Sequence, residues 1–170
     1  MAEKISSNKT EKALGGSAHR IGVVSDTHGL VRPELVEAFS GVEMIIHAGD
    51  VGGAEVLEVL RAQAPVVAVR GNMDGGPWAR GLREAEVIEI DRSLLYVLHD
   101  AQEIDLDPAA AGFRAVISGH SHRPSLCRRK GVLFLNPGSA GPRRFRLPVS
   151  AAILRLEGES LEVELIELKD

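Results

Sequence analysis

Apolar residues in this 170-residue chain gather in short runs, each closed by turn-forming residues. Five of the runs, IGVVSDTH, MIIHAGD, VVAVRGN, LLYVLHD and AVISGHSH, end in a side chain that can bind a metal. Short apolar runs with turn residues at their ends read as strands buried on both faces. The polar ends are Asp26 with His28, Asp50, Asn72, His99, and His120 with His122; their leading residues step along the chain by 24, 22, 27 and 21. A βαβ or strand–turn–strand unit takes up about that much chain. The pattern therefore predicts that all seven groups reach the same edge of the same sheet, the C-terminal edge at which open α/β sheets bind ligands.

The segments between the runs sort by period. Strands are expected over about 20–25, 43–47 and 66–70. Leu35, Val36 and Phe39 recur at helical spacing behind Pro33, which suits a first helical turn, and Val56, Leu57, Val59 and Leu60 mark a second helix near 53–62. After residue 84 the texture changes. EVIEI and SLLYVL, split by Asp91-Arg92, read as a hairpin, and a short helix near 107–112 has Asp107 to cap it. A strand over 114–118 leads into GHSH, LCRRK and GVLFL form a hairpin turning at Gly131, and the C-terminal run folds back around Glu157-Gly158. A βαβα-like first half and a mostly antiparallel second half predict an α/β fold, with two packed β-sheets flanked by α-helices. One domain over 20–170 behind a polar tail over 1–19 is expected; His19, at the end of that tail, receives no role.

Composition narrows the function. Hydrophobic residues make up 44% and charged residues 26%, ordinary for a globular domain, and the formal net charge of -4 argues against a duplex-DNA binder. Cys127 is the single cysteine, which excludes an intrachain disulfide and a cysteine metal cluster. With no signal-like or membrane-length apolar run, a cytoplasmic location is expected.

Four His, two Asp and one Asn are too many ligands for one ion and one too few for two four-ligand sites. One shared carboxylate resolves the count. Mixed imidazole and carboxylate ligation suits Mn²⁺, Fe, Co, Ni or Zn²⁺ better than Mg²⁺ or Ca²⁺. Two such ions about 3.5–4 Å apart would deprotonate a bridging water and clamp an in-line phosphoryl transfer. Asp26 and His28, two apart, would lie on one side of an extended chain, and the glycines before Asp50, Asn72 and His120 would permit unusual dihedrals or close approach.

The order Asp26-Thr27-His28, Gly49-Asp50, Gly71-Asn72-Met73-Asp74, His99, Gly119-His120-Ser121-His122 and Asn136-Pro137-Gly138-Ser139 resembles the calcineurin-like metallophosphoesterase superfamily. It is most similar to the small phosphodiesterases of the YfcE-like group, over about residues 20–168. The resemblance implies a four-layer fold and a dinuclear site, manganese favoured. Its first ion would be held by Asp26, His28, Asp50 and His122, and its second by Asp50, Asn72, His99 and His120, so Asp50 would be the bridge. Asp50, Asn72, His99 and His122 would carry catalysis, with Asn72 also contacting the phosphate. His47 matches a family position, and a packed or supporting histidine is the better reading there.

Two departures stand out. Met73 replaces the His that many relatives use to protonate the leaving oxygen, and a thioether has no proton to give. His99 is followed by Asp100 where the group has Gly; a solvent-facing carboxylate is the favoured reading, because burying it unpaired is costly. Asp74 is the nearest alternative acid, although a loop-fixing role is expected. Of two basic clusters, Arg128–Lys130 reads as a solvated turn, while Arg143–Arg146 follows NPGS closely enough to reach a substrate phosphate. Asn136 and Ser139 should shape their loop. A small phosphodiester or nucleotide-like substrate is expected, with no membrane, no extended nucleic acid, and room for a homo-oligomer. The competing classes are a non-catalytic protein-binding scaffold, which the retromer subunit of this fold exemplifies, and a phosphomonoesterase or nuclease.

Overall fold

The computed structural model describes residues 18–169. The expected tail therefore lies outside the described residues up to position 17, whereas His19 opens the first strand. Ten strands form two five-stranded sheets. The first sheet contains β1 (His19–Val24), β2 (Met44–His47), β3 (Val66–Ala68), β9 (Ser150–Glu157) and β10 (Ser160–Glu167), in the order β10-β9-β1-β2-β3. The second contains β4 (Ala85–Ile90), β5 (Ser93–Leu98), β6 (Phe113–Ile117), β7 (Ser125–Arg129) and β8 (Val132–Asn136), in the order β4-β5-β6-β8-β7.

Strict alternation along the central strands builds the layers. Ile21, Val23 and Ile46 point inward and meet Leu95, Val97, Ala115 and Ile117 of the other sheet in one continuous core. The intervening residues Val24, Ile45, Ala151 and Ile153 face outward, where Leu35 of α1 (Pro33–Ala38), Phe39 at its C-terminal cap, and Val56, Leu57 and Leu60 of α2 (Ala54–Arg61) cover them. Both faces of each central strand are thus apolar, which explains the unbroken runs in the sequence. Gly22 lets the Phe39 ring lie flat on β1: an added Cβ would stand 3.0 Å from its carbons. The outer face of the second sheet is covered more thinly, by Ile104 and Ala109 over Leu98, Val116 and Val132.

Two expectations need correction. The candidate metal-binding side chains come from both sheets, not one: β1–β3 supply the first, and β5 and β6 the others. The second half is mostly antiparallel, as expected, although β5 pairs with β6, and β6 with β8, in parallel. Its hairpins β4–β5 and β7–β8 flank that parallel centre, and the last hairpin leaves to join β1 in the first sheet. Finally, residues 107–112 make one hydrogen-bonded turn instead of a helix. Asp107 does cap it, with Oδ1 accepting from the Ala109 N–H at 3.1 Å, but Gly112 at φ 83° ends it.

His19 pins the sheets together at the end opposite the strand C-termini. Its Nδ1 lies 2.5 Å from Glu43 Oε1, and its Nε2 lies 2.9 Å from Asp91 Oδ2 in the β4–β5 turn. Burial opposes protonation of this ring, but the hydrogen bonds and charges of the two carboxylates outweigh it and raise its pKa above the usual 6.5. A raised pKa means stabilisation that is complete below the unfolded-state value and is lost as pH rises through the folded one. Both carboxylates are about half exposed, so the contribution is roughly 1 kcal/mol. The stability gap between the parent and His19→Gln, measured by denaturant unfolding, should be widest below about pH 6 and close toward pH 9. A gap that does not change with pH would show that His19 is neutral in this contact.

Candidate metal centre

Each of the seven side chains stands just beyond a strand C-terminus: Asp26 and His28 after β1, Asp50 after β2, Asn72 after β3, His99 after β5, and His120 and His122 after β6. The backbone there is not extended, contrary to the expectation for Asp26 and His28. Asp26 (φ 55°), His28 (φ 46°), Asp50 (φ 53°), His120 (φ 70°) and His122 (φ 60°) are all left-handed. Of the eight non-glycine residues with positive φ among those described, five are candidate ligands, so the strain is concentrated at the site. Left-handed residues turn each chain sharply back, and this aims the side chains inward. Small residues make the crowding possible. A Cβ on Gly71 would collide with Asp50 Oδ1, and one on Gly119 would collide with Ser25 Oγ.

Two overlapping groups result. Asp26 Oδ1 lies 3.3 Å from His122 Nε2 and 3.9 Å from His28 Nε2, and the two imidazole nitrogens are 3.4 Å apart. On the other side, His99 Nε2 lies 3.3 Å from Asp50 Oδ2 and 3.0 Å from Asn72 Oδ1, which is 3.2 Å from His120 Nδ1. Asp50 Oδ2 also stands 3.8 Å from His28, and Asp26 Oδ1 3.9 Å from His99, so both carboxylates lie between the groups. All seven predicted side chains are therefore together.

The protein occupies one oxygen of each carboxylate and presents the other. Asp26 Oδ2 accepts from Ser25 Oγ at 2.7 Å and from the His120 N–H at 3.1 Å, while its Oδ1 is buried with no hydrogen-bond partner. Asp50 Oδ1 accepts from the Met73 N–H at 2.9 Å, leaving Oδ2 for the imidazoles. A buried, orphaned carboxylate oxygen is costly unless a cation completes it. Two imidazole nitrogens facing each other beside that oxygen also call for a shared cation. The residues therefore fit a divalent metal, and their N and O donors suit a transition ion.

The surroundings fix the ligands. His99 Nδ1 donates to the Ala48 carbonyl at 2.8 Å, which turns the Nε2 lone pair toward the site. Burial opposes charging of His99, but the Asp50 carboxylate and the Ala48 carbonyl prevail and raise its pKa. Burial would likewise raise Asp50, yet its bonds to His99 and the Met73 N–H hold it low. His122 is lowered by burial, with Asp26 opposing and the Arg144 charge reinforcing.

Several neighbours are scaffolding. His47 is completely buried and burial pushes its pKa down to about 3. Its neutral ring accepts from the Gly49 N–H at 3.2 Å and donates to Thr27 Oγ1 at 2.9 Å, and Thr27 donates onward to the Val51 carbonyl at 2.8 Å. Asp74 accepts from three backbone N–H groups, Val51 and Gly71 on Oδ2 and Gly52 on Oδ1, so it ties the Asp50 loop to the Asn72 loop with both oxygens engaged. Asn136 donates to the Gly119 carbonyl at 2.8 Å, and Ser139 donates to the Asp26 carbonyl at 3.0 Å. The Met73 side chain is 67% exposed. Both basic clusters are exposed, apart from contacts such as Arg128 to the Leu161 carbonyl. Ser25 lies outside the groups expected from the sequence; a small polar residue inside an apolar run, directly before Asp26, is the signal for it. Asp100 corrects the solvent-facing reading: it is partly buried, and its Oδ2 stands 3.7 Å from His120 Nε2.

Among known proteins, a probable metallophosphoesterase of Methanothermobacter thermautotrophicus is 37% identical over 158 residues, covering 86% of this chain and 91% of the relative. A solved archaeal phosphodiesterase superposes with a TM-score of 0.73 at 26% identity, over 88% of this chain and 99% of that one. Vacuolar protein sorting 29 of Cryptosporidium parvum shares the fold, with a TM-score of 0.78 at 20% identity over 91% and 94% of the two chains. The model of the calcineurin-like phosphoesterase superfamily domain matches residues 20–159. With its fold, its ligand cluster and that match in agreement, this chain belongs to the calcineurin-like phosphoesterase superfamily.

Proposed function

We propose that the protein hydrolyses small phosphodiesters at a pair of divalent transition-metal ions, with manganese favoured. Asp26, His28, Asp50 and His122 would hold one ion, and Asp50, Asn72, His99 and His120 the other. The observation that carries this reading is the pair of carboxylates with one oxygen each turned to the imidazoles, Asp26 Oδ1 having no other partner. When bound, such ions supply an activated water and neutralise charge in an in-line displacement. The side chains do the rest. Asn72 Oδ1 lies between His99 and His120, which leaves the amide NH₂ of Asn72 to donate to a substrate phosphate. The Arg144 charge, already felt at His122, adds attraction for an anion. Among the described residues no helix is long and apolar enough to cross a membrane. A cytoplasmic enzyme acting on a nucleotide-sized ester accords with that and with the acidic chain.

Four outcomes test this. Elemental analysis after reconstitution with excess Mn²⁺ should give two ions per chain, and a ceiling of one would sink the pair. Under saturating Mn²⁺, Asp50→Asn should lose more activity than His28→Ala, by roughly tenfold or more, because Asp50 touches both ions. Equal losses would reduce Asp50 to a single-ion ligand. Without a proton donor at Met73, and with Asp74 committed to backbone N–H groups, rates should fall steeply as leaving-group pKa rises. Met73→His should flatten that slope and speed poor leaving groups, general acids being typically worth ~10²–10⁴-fold. A shallow slope in the parent enzyme would mean that another residue supplies the proton.

A further inference from the structure

His120 is the outlier among the imidazoles of the site. Its side chain is 45% exposed, against 18% for His28 and 6% for His99 and His122. The other three are held by packing, and His99 also by the bond to Ala48. His120 meets His99 only edge-on, with ring centroids 5.1 Å apart. An exposed ring with few neighbours loses rotamer freedom when it binds an ion, and that cost weakens the site. Something must orient it.

Asp100 is placed to do so. One of its oxygens, Oδ1, accepts from the Gln102 N–H at 3.0 Å, at the start of the 3₁₀ turn Ala101–Glu103, which anchors the carboxylate. The other, Oδ2, faces His120 Nε2 at 3.7 Å, while the opposite ring nitrogen, Nδ1, faces Asn72. We infer that Asp100 is a positioning residue for His120. It draws the imidazole proton to Nε2 and turns the Nδ1 lone pair toward the second ion. A carboxylate on the far nitrogen of a ligating histidine fixes its tautomer and raises its basicity, an effect typically worth ~10–100-fold in metal affinity. The role rests on the paired-ion reading and concerns only the ion that His120 would hold.

Mn²⁺ titration followed by electron paramagnetic resonance separates the alternatives, because it counts ions and measures affinity without any substrate. Two ions should bind the parent protein. Asp100→Ala should weaken the second by about 10–100-fold and leave the first unchanged. Asp100→Asn, which keeps an acceptor but no charge, should fall between them. In a His120→Ala background, Asp100→Ala should add nothing, since it acts through His120. Thermal unfolding of the metal-free variants reports any damage to the 3₁₀ turn independently. Two ions with unchanged affinity in Asp100→Ala would overturn the positioning role alone, as would an equal loss in the His120→Ala background. A single ion in the parent protein would overturn the paired site and the role of Asp100 with it.

Discussion

Left-handed backbone at five candidate ligands is the constraint on which the site depends. For an L-residue other than glycine this conformation costs roughly 1–2 kcal/mol, and Asp and His tolerate it better than bulkier side chains. The chain offsets the cost with hydrogen bonds that cross between motifs. The Asp26 N–H donates to the Gly49 carbonyl at 3.0 Å, the His28 N–H to the Asp50 carbonyl at 3.0 Å, and the Gly29 N–H to the Val51 carbonyl at 2.9 Å. The loops after β1 and β2 thus behave as one unit, and Asp74 fastens the loop after β3 to it through the Val51 and Gly52 N–H groups. Ligand geometry is therefore set by backbone contacts between loops, not by the side chains alone.

The two sheets contribute in different ways. The first brings Asp26, His28, Asp50 and Asn72 on three parallel neighbours, so the three strand ends lie side by side. The second brings His99 and the His120–His122 pair on β5 and β6, also parallel neighbours. Between them lies an apolar core in which, among the described residues, no charged side chain is buried until the strand ends are reached. Beyond that core Asp26, Asp50 and His99 are all buried, so the polar groups satisfy one another at the boundary of a low-dielectric interior. Charges in such a place interact strongly, which favours a multiply charged cation over water as their common partner.

Much of this was legible in the sequence because the relevant signals are local. Apolar runs mark buried strands, and the seven candidate ligands end those runs, so the identity of the cluster follows from residue type and spacing. Three features were not legible, each for a physical reason. Division of the ligands between two sheets depends on how β5, β6 and β8 pair, and parallel pairing is a tertiary choice that a run of apolar residues does not encode. The turn of the backbone at Asp26 and His28 comes from cross-loop hydrogen bonds, so an extended reading of Asp-x-His missed it. Asp100 looked like a surface carboxylate because His120, the group it faces, is twenty residues away along the chain. Asp74 went the other way: its reading as a loop clamp was right, since a carboxylate two residues after a Gly-Asn turn naturally gathers N–H groups.

The position of β1 has a further consequence, in time instead of space. β1 carries the first two candidate ligands, yet one of its two neighbours is β9, which begins at Ser150, far along the chain from both. During synthesis, Asp26 and His28 precede β9 by a long stretch of chain and sit on a strand with an unpaired side until β9 has been made. The residues that hold the ligand loops, including Ser139 beneath Asp26, also arrive late. The loops that present the candidate ligands are therefore secured only when β9 and the segment around Ser139 have joined β1, so the cluster depends on chain far from the strands that carry it.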